Sequence, residues 1–214
     1  MAAKKDGQVA KALLKEAGRT YAEEAGIKLA DAPAPLYQLL VLALLSSARI
    51  STEIAVAAAR ELRKAGYTTP AKMAEASWQD RVDALGRGHY RRYDERTATM
   101  LGEGADLLQD RYRGDLRRLA AEADGDTRAA SRLLQEVPGI GPLGADIFLR
   151  EVQAVWPWVR PYADRRITAS AKDFGLPGSA DGLADAAGGK DLSRLTAALL
   201  RASRDKDLAA RVRS

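Results

Sequence analysis

L-L-Q-E-V-P-G-I-G-P-L-G-A, from Leu133 to Ala145, joins an apolar helix end to a second helix through a tight V-P-G-I-G turn. Pro138 ends the first helix, because its ring fixes φ and it has no N–H to donate. Gly139 and Gly141 allow backbone angles that a Cβ forbids, and they let another backbone come close. The helix that starts near Pro142 opens with unpaired N–H groups and the positive end of its dipole. A phosphate is the natural occupant of such a site.

The segment therefore reads in one of two ways. It is either a helix-hairpin-helix that grips a nucleic-acid backbone without reading its sequence, or an ordinary turn between helices, since Pro-Gly pairs are common punctuation.

Composition narrows the field. With 214 residues the chain can bury one good core, or a larger and a smaller lobe. Apolar residues make up 46%, dominated by Ala and Leu, and aromatics only 6%, a balance that favours helix over strand. The formal net charge of +5 is compatible with a polyanionic partner. There is no Cys, which excludes disulfides, thiolate zinc sites and iron–sulfur clusters. A lone His, His89, argues against a His-based metal site or a serine triad. The N-terminus, M-A-A-K-K-D-G-Q, lacks the apolar core of a signal peptide, so the expected location is cytoplasmic, with nucleoid association in a bacterium. The longest apolar run, Leu36 to Leu45, is too short to cross a bilayer, and no membrane partner is expected.

Periodicity and punctuation predict an all-α chain. A helix is expected from Val9 to Ala30, then a stiff D-A-P-A-P linker at Asp31 to Pro35, then a fully buried helix from Leu36 to Ser47. Ser51 or Thr52 should cap a helix that Gly66 stops, and Thr69 with Pro70 should start another. Further helices are expected at Ser77–Leu85, Tyr93–Gln109, 126–136, 142–154, Arg165–Asp173, Ser179–Ala187 and Leu192–Val212. The last should present a charged face with Arg201, Arg204, Lys206, Arg211 and Arg213. Trp156 and Trp158 read as packing residues.

Beyond the hairpin lies V-R-P-Y-A-D-R-R, with Asp164 at a helix start. A phosphate grip followed by a carboxylate suggests glycosidic chemistry, in which the carboxylate stabilises positive charge on a sugar or orients water. By spacing alone, however, Asp164 is a helix cap. The run R-G-H-Y-R-R-Y-D-E-R at Arg87 to Arg96 interleaves aromatics and arginines, as a nucleic-acid surface or a solvated loop would.

Together, V-P-G-I-G-P-L-G-A and P-Y-A-D-R-R resemble the signature of the endonuclease III-like, helix-hairpin-helix DNA glycosylase superfamily. The resemblance extends to P-L-Y-Q-L-L-V-L-A-L-L-S-S-A-R-I-S at Pro35 to Ser51 and to L-G-R-G-H-Y-R-R-Y at Leu85 to Tyr93, so it covers roughly residues 30 to 175 in order. It implies a two-lobed helical fold with a DNA-binding cleft between the lobes. The implied divisions are an N-terminal helix over 1–34, a bundle over 35–155 ending in the hairpin at 133–154, and a C-terminal lobe over 156–214. Asp164 becomes the catalytic carboxylate. The implied DNA contacts are Pro138, Gly139, Ile140, Gly141, Leu143 and Gly144 in the hairpin, and Arg49 and Ser51 in the upstream turn, with Arg49 entering the gap left by a flipped base. His89, Tyr90 and Arg91 fall at the family's wedging loop, and Arg165 lies beside Asp164. The resemblance also implies a structural monovalent cation on the backbone carbonyls of Val137 and Ile140, and no other cofactor.

The departures are equally informative. Members that also cut the strand carry a lysine where this chain has Leu143, and no lysine lies between Lys72 and Lys172. No Schiff-base nucleophile is then at hand. Arg49 stands in place of the usual glutamine and Thr52 in place of the aspartate, so the base pocket is rebuilt. The expectation is a monomeric, monofunctional DNA glycosylase of base excision repair acting on duplex DNA with a damaged or mismatched base. The alternatives are a catalytically inactive lesion-binding protein and a glycosylase/lyase using an atypical amine.

Overall fold

The computed structural model describes residues 2–213, and every regular element among them is an α-helix. None of these helices is long and apolar enough to cross a membrane. The chain forms two compact units, Ala22–Leu149 and Met1–Tyr21 with Arg150–Ser214.

The central unit is built on α3 (Pro33–Ser47), which buries Leu36, Tyr37 and every residue from Leu39 to Leu45. The expected D-A-P-A-P linker is shorter than read, because Pro33 and Pro35 both lie in the first turn of this helix, where a missing N–H removes no helical bond. Helix α4 (Thr52–Lys64) packs on α3 and is capped by Ser51, whose hydroxyl accepts from Ile54 N–H. Thr69 caps α5 (Pro70–Glu75), and a reciprocal capping box between Ser77 and Asp80 starts α6 (Trp78–Arg87). Both pack on α7 (Asp94–Tyr112), and α6 also packs on α4. Arg81 is buried where it collects the carbonyls of Met73 and Ala76 at the end of α5, each at 2.9 Å. Helix α8 (Leu116–Glu122), absent from the sequence reading, is capped by Asp115 and packs on α9 (Thr127–Leu134). The hairpin then leads into α10 (Pro142–Val152). The short α2 (Tyr21–Glu24) spans the 21/22 division.

The terminal unit joins the two chain ends. Helix α1 (Ala2–Ala17) packs on α12 (Ala180–Ala186), α13 (Leu192–Ala202) and α14 (Lys206–Arg213), and α11 (Arg165–Asp173) packs on α13. Their core gathers Leu13, Ile167, Leu183, Leu195, Leu199 and their neighbours. The helix expected over Val9–Ala30 stops at Ala17. A Cβ on Gly18 would collide with the Leu14 carbonyl, and two arginines of α13 capture the carbonyls freed there. Arg194 donates to Gly18 O at 2.9 Å; Arg201 donates to Ala17 O and Arg19 O while stacking on the Tyr21 ring. Arg201 is therefore a helix-end clamp and not part of a solvated face. The single helix expected over Leu192–Val212 is two helices, because Asp205 turns its carboxylate onto the N–H groups of Asp207 and Leu208 and begins α14.

Candidate nucleic-acid and base-binding site

In the hairpin, α9 ends at Leu134 and the chain turns through Gln135–Gly141 into α10. Of the two turn glycines only Gly139 has positive φ, +86°. A Cβ there would approach Leu44 Cδ1 to 2.9 Å and Met100 Sδ to 3.0 Å, so the turn lies hard against α3 and α7. Gly141 meets no such neighbour, and its carbonyl accepts the first helical bond of α10, from Ala145 N–H at 3.0 Å. Among the described residues, the amides of Gly139 and Gly141 donate no hydrogen bond within the chain. Those two N–H groups and the start of α10 are the donors a phosphate would use. The Val137 carbonyl accepts from Ile140 N–H at 3.0 Å, and both of these side chains are buried. Pro138 and Leu143 are half-buried, and Gly144 packs against Ile140.

Three stretches far apart in sequence meet beside this turn. A recess of about 290 Å³ is lined by Leu44, Ser47, Ala48 and Arg49 from the end of α3 and its turn. Tyr90 and Tyr93 line it from the loop before α7, Arg96, Thr97 and Met100 from α7, and Gly139 from the hairpin. Its size suits one small planar ligand. Arg49 and Arg96 are exposed, and among the described residues neither makes a hydrogen bond or ion pair. Tyr93 carries the Arg92 guanidinium 5.3 Å from its ring centroid.

The other residues named from the sequence take different places. Tyr90, on the expected wedging loop, points into the fold: its ring is fully buried, and its hydroxyl donates to Leu45 O at 3.4 Å. Burial pushes its phenol above the usual range, with a Thr97 hydrogen bond pulling the other way. His89 is exposed at the tip of the loop with φ +61°, and Arg91 is exposed beside it. Ser51 spends its hydroxyl on capping α4. Thr97 and Met100 carry no site signal in the sequence, and Tyr93 and Arg96 carry only the spacing of the aromatic–arginine run to which they belong.

Within the terminal unit, Asp164 caps α11. Its Oδ1 accepts from Arg166 N–H at 2.8 Å and Ile167 N–H at 3.3 Å. Its Oδ2 lies 3.1 Å from Arg150 Nε, and the two side chains are 7% and 6% exposed. Gln153, 1% exposed, pins the backbone at Tyr162, two residues before this carboxylate. Its amide donates to Arg150 O and Tyr162 O, and its carbonyl accepts from Tyr162 N–H, all within 3.0 Å. The Arg160–Pro161 peptide in this segment is cis. Arg165 is exposed, and Trp156 stacks on Trp158 with centroids 5.4 Å apart. No group of three or more His, Asp or Glu side chains suited to a metal ion occurs among the described residues. The sequence matches no protein-family model, and no curated protein is similar to it.

Proposed function

We propose that the protein is a monofunctional DNA N-glycosylase of base excision repair. The observation that carries this reading is the recess, where the turn after α3, the loop before α7 and the V-P-G-I-G hairpin meet. These are three of the four stretches that resemble the glycosylase superfamily, and the fourth holds Asp164. The two-lobed fold of that superfamily belongs to the same proposal.

In this reading the unengaged amides of Gly139 and Gly141 and the start of α10 hold a backbone phosphate. The extruded base enters the recess, and Arg49, which lines it, meets that base and not the gap left in the stack. Asp164 is assigned to the positive charge that develops on the sugar. Water adds to C1′, the C1′–N bond breaks, and the base departs with the electron pair and a proton. The products are a free base and an abasic site in an intact strand. Leu143 and the lack of any lysine between Lys72 and Lys172 support hydrolysis without strand cutting.

A second reading has its own support. The Asp164 carboxylate is nearly sealed from solvent and held by Arg150, an arrangement suited to a structural cap in a non-catalytic lesion-binding protein. Single-turnover incubation with lesion-bearing duplexes separates the two. Strand breaks that appear only after alkali mark glycosylase action. Binding without base release marks the second reading. Breaks before alkali, with a borohydride-trapped covalent adduct, would instead establish the lyase alternative.

A further inference from the structure

The polar groups of the recess are unequal in kind. No Asp, Glu, Asn or Gln side chain lines it. Its Ser47 hydroxyl proton is committed to Leu44 O at 2.7 Å, and its Tyr90 hydroxyl proton to Leu45 O. Besides the Tyr93 and Thr97 hydroxyls, what faces a ligand is the pair of guanidiniums of Arg49 and Arg96, which among the described residues have no partner in the chain. A guanidinium carries five N–H donors and no acceptor. The recess therefore offers donors and positive charge over a floor made by Leu44 and Met100.

We infer that this recess selects bases that carry a ring carbonyl where adenine and cytosine carry an exocyclic amino group, which makes deaminated bases, extruded from mispairs at lower cost than the paired guanine and thymine that share this edge, its substrate class. The inference rests on the reading that the recess receives an extruded base. Adenine and cytosine present an amino donor at that edge, and hypoxanthine and uracil present a carbonyl acceptor. Opposite a guanidinium the amino group would be left unpaired and repelled, while the carbonyl is paired. The adjoining ring N–H of the deaminated base meets the lone pairs of Ser47 Oγ, whose proton points away. The same arrangement assists bond breaking. As the C1′–N bond opens, the electron pair passes to the base and spreads onto its carbonyl oxygen, which the arginines stabilise.

The test uses the full chain and pairs of duplexes that differ at one base, uracil against cytosine and hypoxanthine against adenine. Each base is placed opposite an abasic analogue, so that pairing strength does not enter. Binding is read by fluorescence anisotropy and base release by single turnover. The expected result is a preference for the deaminated member on the order of tenfold or more, in binding, in release or in both. In Arg49→Met/Arg96→Met, whose altered positions are exposed, the ratio should fall toward one. Equal handling of the two members, preference for the amino member, or an unchanged ratio in the double variant, with DNA still bound, overturns this inference and leaves the glycosylase reading standing. Failure to bind any of the duplexes at low salt overturns both.

Discussion

Asp164 Oδ2 and Arg150 Nε lie 3.1 Å apart, each on a side chain less than one-tenth exposed. Arg150 sits in the last turn of α10, the helix that begins at the hairpin, and Asp164 starts α11. The ion pair thus ties the carboxylate singled out for chemistry to Arg150 within the terminal unit. A buried charge keeps its place only when it is paired and hydrogen-bonded.

Removing one member of this pair should be costly. Arg150→Met leaves the Asp164 carboxylate buried without its counter-charge, and the expected loss of stability is about 3–5 kcal/mol. Adding Asp164→Asn to that variant should recover most of the loss, because Asn still caps the helix. Urea unfolding of both variants measures the effect.

Gln153 should act as a positioning residue for Asp164. Gln153→Ala leaves Tyr162 N–H and C=O without the partner they have now, with an expected destabilisation of about 1–3 kcal/mol. Gln153→Glu should not rescue it, because a carboxylate cannot donate to the carbonyls of Tyr162 and Arg150. Urea unfolding reports the stability, and the single-turnover rate of base release should fall in both variants with little change in DNA affinity.

The two hairpin glycines should respond differently. Gly139→Ala forces a side chain into positive φ and against Leu44, so it should destabilise the protein by about 1–2 kcal/mol or more and weaken DNA binding. Gly141→Ala meets open space and should leave the fold intact. Thermal unfolding and DNA titration of the two variants make the comparison.

Alkaline pH should weaken the fold. Burial raises the phenols of Tyr37 and Tyr90 above their ordinary value of 10.0. Below pH 10 they are neutral in both folded and unfolded chains, and their contribution is fully present. Above it the unfolded chain ionises first, so stability falls as pH rises, by about 1.4 kcal/mol per pH unit for each phenol. Urea unfolding between pH 9 and 11, where 9 and 11 are roughly one unit either side of that value, should show a decline that Tyr37→Phe/Tyr90→Phe flattens.

Much of the helical order was legible because caps are local. Thr69–Pro70, Ser77 with Asp80, and Asp164 before Arg165 announce their helices within four residues. Breaks decided by distant partners were not legible. The end of α1 depends on Arg194 and Arg201, far along the chain, and periodicity alone runs through Gly18. The hairpin could be read from Pro138 and Gly139, yet the recess beside it could not, since its walls come from segments brought together only by packing. For the same reason Tyr90 read as a surface aromatic although it is buried under α3. Arg150 carried one faint signal, a charge set inside the apolar end of α10.

Base release by the wild-type protein is the measurement closest to the central claim. Under single-turnover conditions, duplexes carrying uracil, hypoxanthine, alkylated or oxidised bases are incubated with excess protein, and the free base and alkali-labile sites are quantified. The account predicts release from at least one deaminated-base duplex, an intact strand before alkali, and loss of release in Asp164→Asn while DNA binding persists. No release from any duplex, or equal release by Asp164→Asn, would contradict it.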